Sequence, residues 1–184
     1  MKKRLNLIAA PTSTQPGGYI NKAYLERTVP FTKWAIVEVN KEASRWVVEL
    51  TWACANPVKD ASDQTDAFVD AAAVLVPSKP NAQWITMGDT EKPVEGALWR
   101  PDQKRLIQIH AQGLGSVQRQ ASPEGWEVIS IWNNDLWNVK FSFSNWLALE
   151  SHRQLAIAIW QGAAQDRGGL KSISPGWLPL EPAS

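Results

Sequence analysis

The sequence offers few side chains that could bind a metal or act as a nucleophile. It contains one cysteine, Cys54, two histidines, His110 and His152, and one methionine beyond the first residue, Met87. A single cysteine excludes an intrachain disulfide, and it excludes an iron–sulfur cluster or zinc site built from several cysteines of this chain. The sequence lacks a CxxCH motif, which excludes the covalent attachment of a c-type haem. A thioether in a loop can be a soft axial ligand of haem iron, and Met87 precedes a Gly-Asp turn.

The other polar candidates have ordinary structural explanations. His110 alternates with Gln108 at the end of a predicted strand, and His152 stands beside Arg153 in a polar stretch, so we expect surface positions for both histidines. Cys54 shares the apolar face of a predicted strand with Trp52, which predicts a buried and inert thiol. The acidic stretch at 63–66 lacks the central glycine and the number of acidic ligands of a calcium loop, so we interpret it as a solvated loop.

β-strands must position these residues, because the dominant apolar period from Thr32 onward is two. Residues 66–76 fit a buried strand, although their alanines also suit a helix, and 144–150 could begin a short helix. The sequence therefore predicts an all-β fold, mainly an antiparallel β-sandwich of about 8–12 strands with a few short helices. We expect a single domain over 1–184 with an irregular N-terminal arm at about 1–20. Alternation predicts strands at 34–40, 45–54, 105–110, 125–132, 136–143 and 154–160.

Composition and charge exclude several classes of protein. With 44% hydrophobic residues the chain can build a packed core, and a net charge of +1 argues against a nucleic-acid binder. No stretch approaches the ~20 apolar residues that span a bilayer. The apolar run from Leu5 to Ala10 is interrupted by Asn6 and is shorter than the ~7–15 residues of a secretory signal, so we do not expect export through a signal of this chain.

Eleven tryptophans are the outlying number in the composition. In a sandwich most tryptophans fill the core, and alternation puts Trp46, Trp52 and Trp137 on apolar faces. Because eleven exceed what a small core easily hides, we expect some of them to form an exposed aromatic contact patch for a partner. A carbohydrate-binding module with tryptophan platforms is the alternative interpretation, and it requires exposed, coplanar rings.

Two blocks of sequence, in their order and spacing, resemble a known family. They resemble the haem b-binding γ subunit of the ethylbenzene dehydrogenase and dimethylsulfide dehydrogenase type. That family belongs to molybdenum enzymes with an iron–sulfur electron-transfer subunit, and it includes steroid side-chain dehydrogenases and chlorate and selenate reductases. The resemblance rests on residues 65–77, 87–89 and 93–100 in the first block, and on 155–162, 167–174 and 177–180 in the second.

The resemblance implies one non-covalent haem b, bound in a β-sandwich between a methionine and a lysine that map onto Met87 and Lys171. A lysine binds iron only as the neutral amine, and a buried apolar pocket assists because desolvation disfavours the ammonium. The two loops are expected to close over one end of the sandwich. The rival ligands are Lys140, His110 and His152. By charge alone, Arg100 and Arg105 are candidates for the haem propionates.

The resemblance also implies the role of the chain. With both axial positions filled, the iron does not readily bind a substrate, so the implied role is electron transfer rather than catalysis. The implied partners are an iron–sulfur β subunit and a molybdenum-containing α subunit in a heterotrimer, with an external electron carrier; no nucleic acid and no membrane span are implied. The family works in the bacterial periplasm, which this chain would reach with a signal-bearing partner. A cytoplasmic location is the alternative.

Overall fold

The computed structural model describes residues 1–12, 27–61 and 67–180. Within these ranges the chain forms thirteen strands and one short α-helix. The elements are β1 (Lys2–Asn6), β2 (Ile8–Ala9), β3 (Trp34–Glu42), β4 (Arg45–Ala53), β5 (Ala71–Pro77), β6 (Val94–Trp99), β7 (Ile107–Ala111), β8 (Gln118–Ala121), β9 (Trp126–Asn133), β10 (Leu136–Ser144), α1 (Leu147–His152), β11 (Gln154–Trp160), β12 (Ser172–Ile173) and β13 (Leu178–Pro179).

The strands form two antiparallel sheets. The small sheet has the order β1-β3-β4-β10-β9, and the large sheet has the order β2-β12-β11-β5-β6-β7-β8, with β13 paired to β11. Short hairpins fix the register of the small sheet. Between β9 and β10, Asn134 and Asp135 both have positive φ, as a two-residue turn of the type I′ kind requires. This turn sets Trp137 opposite Trp132 on β9, and β4 sets Trp52 opposite Trp137 on its other side.

The core lies between the facing surfaces of the two sheets. The period-two pattern of β10 becomes strict alternation of burial, with Trp137, Val139, Phe141 and Phe143 all inside. Burial of a large apolar side chain contributes about 1.5–3 kcal/mol, so these positions hold the sheets together. Rings from both sheets meet here: the Trp99 centroid on the large sheet lies 4.9 Å from that of Trp137.

The tryptophans do not form the exposed aromatic patch that we expected. All eleven lie in the described part of the chain, and each is buried or half-buried. The expectation was wrong because two stacked sheets hide more aromatic surface than residue counting suggests. The exposed large apolar residues are mainly aliphatic and include Ile129 and Ile131 on β9. The carbohydrate-platform alternative loses its required exposed rings for the same reason.

The structure confirms the predicted all-β sandwich. Within the ambiguous stretch at 66–76, residues 71–76 lie in strand β5, and residue 66 lies outside the described residues. Ten of the described strands have four residues or more. The predicted irregular arm at about 1–20 is wrong for its first residues, because Lys2–Asn6 pairs with β3 and Ile8–Ala9 pairs with β12. Residues 13–20 of this predicted arm lie outside the described residues. The acidic stretch at 63–66, which we interpreted as a loop, lies outside the described residues.

Candidate functional site

A cavity of about 700 Å³ lies on the face of the large sheet that points away from the core. Successive strand residues point to opposite faces, so Ala72 of β5 packs into the core while Ala71 lines the cavity. The floor continues over Leu98 of β6 and Ile109 of β7, and Trp160 of β11 forms a wall. The volume lies within the ~300–1,000 Å³ typical of cofactor and ligand pockets.

Small side chains make room above this sheet. Ala73, Ala156 and Ala158 line a second cavity of about 60 Å³, which shares Met87 and Lys171 with the larger one. Gly96 of β6 lies beside the carbonyl oxygen of Val74, and a Cβ at Gly96 would approach that oxygen to 2.9 Å. The side chains of the alanines and of this glycine therefore extend little above the outer face of the sheet, and bulkier residues would fill the cavities.

Met87 reaches the cavity from the loop between β5 and β6. Its φ of 58° is left-handed, a conformation that few residues other than glycine adopt. The following residue, Gly88, has a φ of 75°, and a Cβ there would lie 2.5 Å from the Lys92 carbonyl oxygen. The Met87 carbonyl accepts a hydrogen bond of 3.0 Å from the Gly113 N–H, which ties this loop to the loop after β7. Backbone strain of this kind is typical of functional sites.

Lys171 immediately precedes β12 and lines the cavity. Its backbone carbonyl accepts a 3.0 Å hydrogen bond from the Ala10 N–H, so the short β2–β12 pairing fixes its position. The Lys171 Nζ lies 5.1 Å from the centroid of the Trp160 ring. Among the described residues, no hydrogen bond or ion pair to this ammonium is found, and burial lowers the pKa of Lys171 to about 8. Desolvation therefore favours the neutral amine.

We expected the loops of Met87 and Lys171 to close over one end of the sandwich, but the structure shows a different arrangement. Lys171 lies next to Trp160, which pairs with Ala71 at the start of β5. Met87 is bonded to Gly113, just beyond the last residue of β7. These positions are at opposite ends of the strands of the large sheet. Met87 and Lys171 therefore approach the same cavity from two ends, across the outer face of the sheet.

The rival ligands do not line this cavity. Lys140 is on β10 of the small sheet, between Glu49 and Ile129 in the strand register, and it alternates with core residues. His110 and His152 are half-buried, and neither is a cavity residue. In the described ranges, no group of three or more His, Cys, Asp or Glu side chains is arranged to hold a metal ion.

Cys54 is buried, as predicted, and belongs to a polar cluster around a fully buried carboxylate, Asp70. The Asp70 carboxylate accepts hydrogen bonds from the Val58 N–H at 3.0 Å, the Gly162 N–H at 2.8 Å and the Trp137 indole at 2.8 Å. Burial, with the neighbouring Asp70 charge, raises the pKa of the Cys54 thiol to about 12. A thiol that remains protonated is a poor nucleophile, so the cluster is structural. It fixes the segment before β5, which forms a cavity wall.

Three arginines that differ in their partners line the cavity. Arg100 holds Asp102 through two hydrogen bonds, of 3.0 and 2.6 Å. Arg167 lies over the Phe68 ring, and its guanidinium donates to the Gln165 carbonyl. Arg119, on the edge strand β8, is exposed. Arg105, the other propionate candidate from the sequence, is not a cavity residue.

Sequence reasoning missed Arg119 and Arg167 because nothing in their local sequence distinguishes them from other surface arginines. It also missed Asp166, a buried cavity residue whose carboxylate forms a 2.6 Å ion pair with Arg27. Desolvation raises the pKa of Asp166, although the Arg27 charge and a hydrogen bond from the Gln161 N–H oppose this. Arg119, Asp166 and Arg167 are far apart in sequence, and their shared place in the cavity lining becomes visible only when the strands of the large sheet are assembled.

Curated proteins with similar sequences are gamma or heme subunits of oxidoreductases. The chain is 30% identical to dimethylsulfide dehydrogenase subunit gamma of Rhodovulum sulfidophilum over 156 residues, which are 78% of this chain and 58% of that protein. It is 30% identical to chlorate reductase subunit gamma of Ideonella dechloratans over 151 residues, 76% of this chain and 61% of that protein. It is 29% identical to a putative respiratory nitrate reductase heme subunit of Haloferax mediterranei over 147 residues, 75% of this chain and 52% of that protein. No family model matches the chain.

Fold and cavity together define a β-sandwich protein with a cofactor-sized site on the outer face of one sheet. The relatives agree with the sequence resemblance: the chain is a homologue of these gamma and heme subunits. It spans between about half and three fifths of the length of these relatives. Within the described residues, no helix is long and apolar enough to cross a membrane.

Proposed function

We propose that this chain is an electron-transfer subunit that binds one haem b non-covalently, with Met87 and Lys171 as the axial ligands of its iron. One observation carries the proposal: a thioether and a desolvated lysine amine, 84 positions apart in sequence, line one largely apolar cavity. The names of the relatives support it, since one is a heme subunit and two are gamma subunits of oxidoreductases.

The residues of the cavity fit such a group in chemistry as well as in volume. Ala71, Leu98 and Ile109 offer an apolar floor, and Trp160 offers a broad aromatic wall. The Lys171 amine lacks the carboxylate partner that would stabilise its charged form, so its nitrogen is available as a ligand at a modest cost. Haem supplies the one-electron chemistry, and a thioether ligand raises its reduction potential.

The chain contributes binding and positioning. Gly88 and the bond from Gly113 hold the Met87 loop in its strained conformation, and the β2–β12 pairing holds Lys171. The floor strands are hydrogen-bonded on both sides, so the two ends of the cavity keep a fixed separation. A rigid site limits the reorganisation that accompanies a change of charge on a bound group, which suits electron transfer better than a mobile site.

We further propose the partners and the location. The chain would form a complex with an iron–sulfur β subunit and a molybdenum-containing α subunit, and it would exchange electrons with an external carrier. A single domain over the whole chain and a periplasmic location complete the proposal. Two names among the relatives, each a subunit gamma, support a multi-subunit assembly.

Spectroscopy of the reconstituted protein tests the haem proposal. Purified chain titrated with ferric haem b should give a low-spin, six-coordinate spectrum and a reduced-minus-oxidised difference spectrum of haem b. Lys171→Ala should lose the low-spin spectrum, and Met87→Ala should lower the potential or lose the haem. Lys140→Ala is the matched control, because Lys140 lies on the other sheet. The proposal fails if the protein binds no haem, and the ligand assignment fails if Lys171→Ala keeps the wild-type spectrum.

A further inference from the structure

Among the three cavity arginines, Arg119 is the one without a partner in the described part of the chain. Arg100 is neutralised by the two-point contact with Asp102, and Arg167 is engaged by Phe68 and a backbone carbonyl. No hydrogen bond, ion pair or ring contact of the Arg119 guanidinium is found among the described residues. A guanidinium at the rim of an apolar cavity, with all its donors available, is suited to bind a carboxylate with two hydrogen bonds.

The strand register gives the place of Arg119 relative to the candidate ligands. Arg119 pairs with Ile109 of β7, and Ile109 pairs with Gly96 of β6, so Arg119 lies level with the middle of the floor. Its strand, β8, is the last of the large sheet, so the side chain stands at the lateral edge of the cavity. Met87 and Lys171, in contrast, enter from the two strand ends.

We infer that Arg119 is the anion-binding residue of the cavity and that it pairs with a propionate carboxylate of the bound haem. The inference rests on the proposed function and adds to it the orientation of the group. Because Met87 and Lys171 enter from the two strand ends, β8 forms a lateral edge of the cavity, where a propionate of the haem would meet Arg119. An exposed arginine on that edge receives a carboxylate that remains partly in water, so neither charge has to be fully desolvated.

The charges around the cavity are consistent with a single strong anion site. Three carboxylates line the cavity: Asp60, Asp102 and Asp166. Asp102 is bound by Arg100, and Asp166 is bound by Arg27, so the charges of these two carboxylates are compensated. Arg105, only a few residues from the cavity strands in sequence, is exposed and lies outside the cavity lining. Arg105 therefore serves as a control of the same residue type, with the same change of net charge.

Two haem probes separate this role from a general effect on the protein. Wild type, Arg119→Gln and Arg105→Gln are titrated with ferric haem b and with its dimethyl ester, which has the same ring but no propionate charge. Arg119→Gln should weaken the binding of haem b by about three- to fivefold, the upper range for an ion pair at an exposed site. It should leave the affinity for the dimethyl ester within about twofold of wild type, and Arg105→Gln should change neither affinity.

Salt dependence provides a second readout. The wild-type affinity for haem b should fall between low and high ionic strength, and this fall should be smaller in Arg119→Gln. The inference is overturned if Arg119→Gln binds haem b as tightly as wild type, or if it loses affinity for both haems equally. A wild-type protein that binds neither haem contradicts the proposed function instead, so the two failures are distinguishable.

Discussion

Haem binding to this chain should strengthen as the pH rises towards 8, because Lys171 has to lose a proton before its nitrogen can bind iron. A lysine with the ordinary pKa of 10.5 is charged at pH 7, and removing its proton costs about 4.8 kcal/mol at about 1.36 kcal/mol per pH unit. Burial lowers the pKa of Lys171 to about 8, which reduces this cost to about 1.4 kcal/mol. Burial in the cavity therefore removes most of the free-energy cost of deprotonating the lysine at pH 7.

The sign and the pH window follow from this pKa. Below about pH 8 the free site is protonated, so each bound haem releases one proton and the affinity rises about tenfold per pH unit. Above about pH 8 the free amine is already neutral, and the affinity levels off. The assay is a titration with ferric haem b at a series of pH values from 6 to 9, followed by the low-spin absorbance.

Two matched variants make the result specific. Lys171→Met replaces the amine with a thioether, a ligand that carries no proton, so the pH dependence should disappear even if haem still binds. Lys140→Met should keep the wild-type slope, because Lys140 lies on the small sheet. A wild-type affinity that is flat between pH 6 and 8, or a slope that survives in Lys171→Met, would refute this account of the ligand.

Three further predictions concern the walls of the cavity and the protein without haem. Gly162→Ala should lower the free energy of unfolding by about 1–3 kcal/mol in urea denaturation and weaken haem binding, since its Cβ would lie 1.6 Å from the Phe68 carbonyl oxygen. Asp70→Asn should cost about 1–3 kcal/mol by the same measurement, because an amide nitrogen would face one of the N–H donors that now bind the carboxylate; an unchanged denaturation midpoint would contradict it. Without haem, wild type should gain stability from pH 8 to 10.5, because the folded pKa of Lys171 lies below the unfolded value. Lys171→Met should abolish this gain, with up to about 3 kcal/mol recovered at pH 7.

Alternation predicted the central strands well because their two faces meet different surroundings. β10 is apolar towards the core and polar outwards, so its period of two is visible in the sequence. β1 was missed because only Leu5 among its five residues is buried, and the rest of this edge strand is charged or polar. A strand that packs on one side at a single position has no periodicity to detect.

The candidate site was less predictable from the residues themselves. Met87 drew attention as a lone methionine before a glycine, but Lys171 followed only from the resemblance to a family. Nothing local links the two, because long-range pairing of β12 with β11 and of β11 with β5 brings Lys171 beside the floor. The same pairing puts the two loops at opposite strand ends, which spacing along the chain does not reveal.

The alanines of β5 explain both the ambiguity of the sequence and the existence of the site. By propensity they suit a helix, yet the strand is buried on both faces, by the core on one side and by the cavity-lining loops on the other. On the core side the strand carries Val74 and Val76, whereas Ala71 and Ala73 point outwards, where larger side chains would fill the cavity. Leu75 also lies on the outer face, so the space there is left by Ala71 and Ala73, and a bound planar group would fill it. The small outward-facing residues of this strand are therefore better explained by the space that the cavity requires than by the packing of the two sheets.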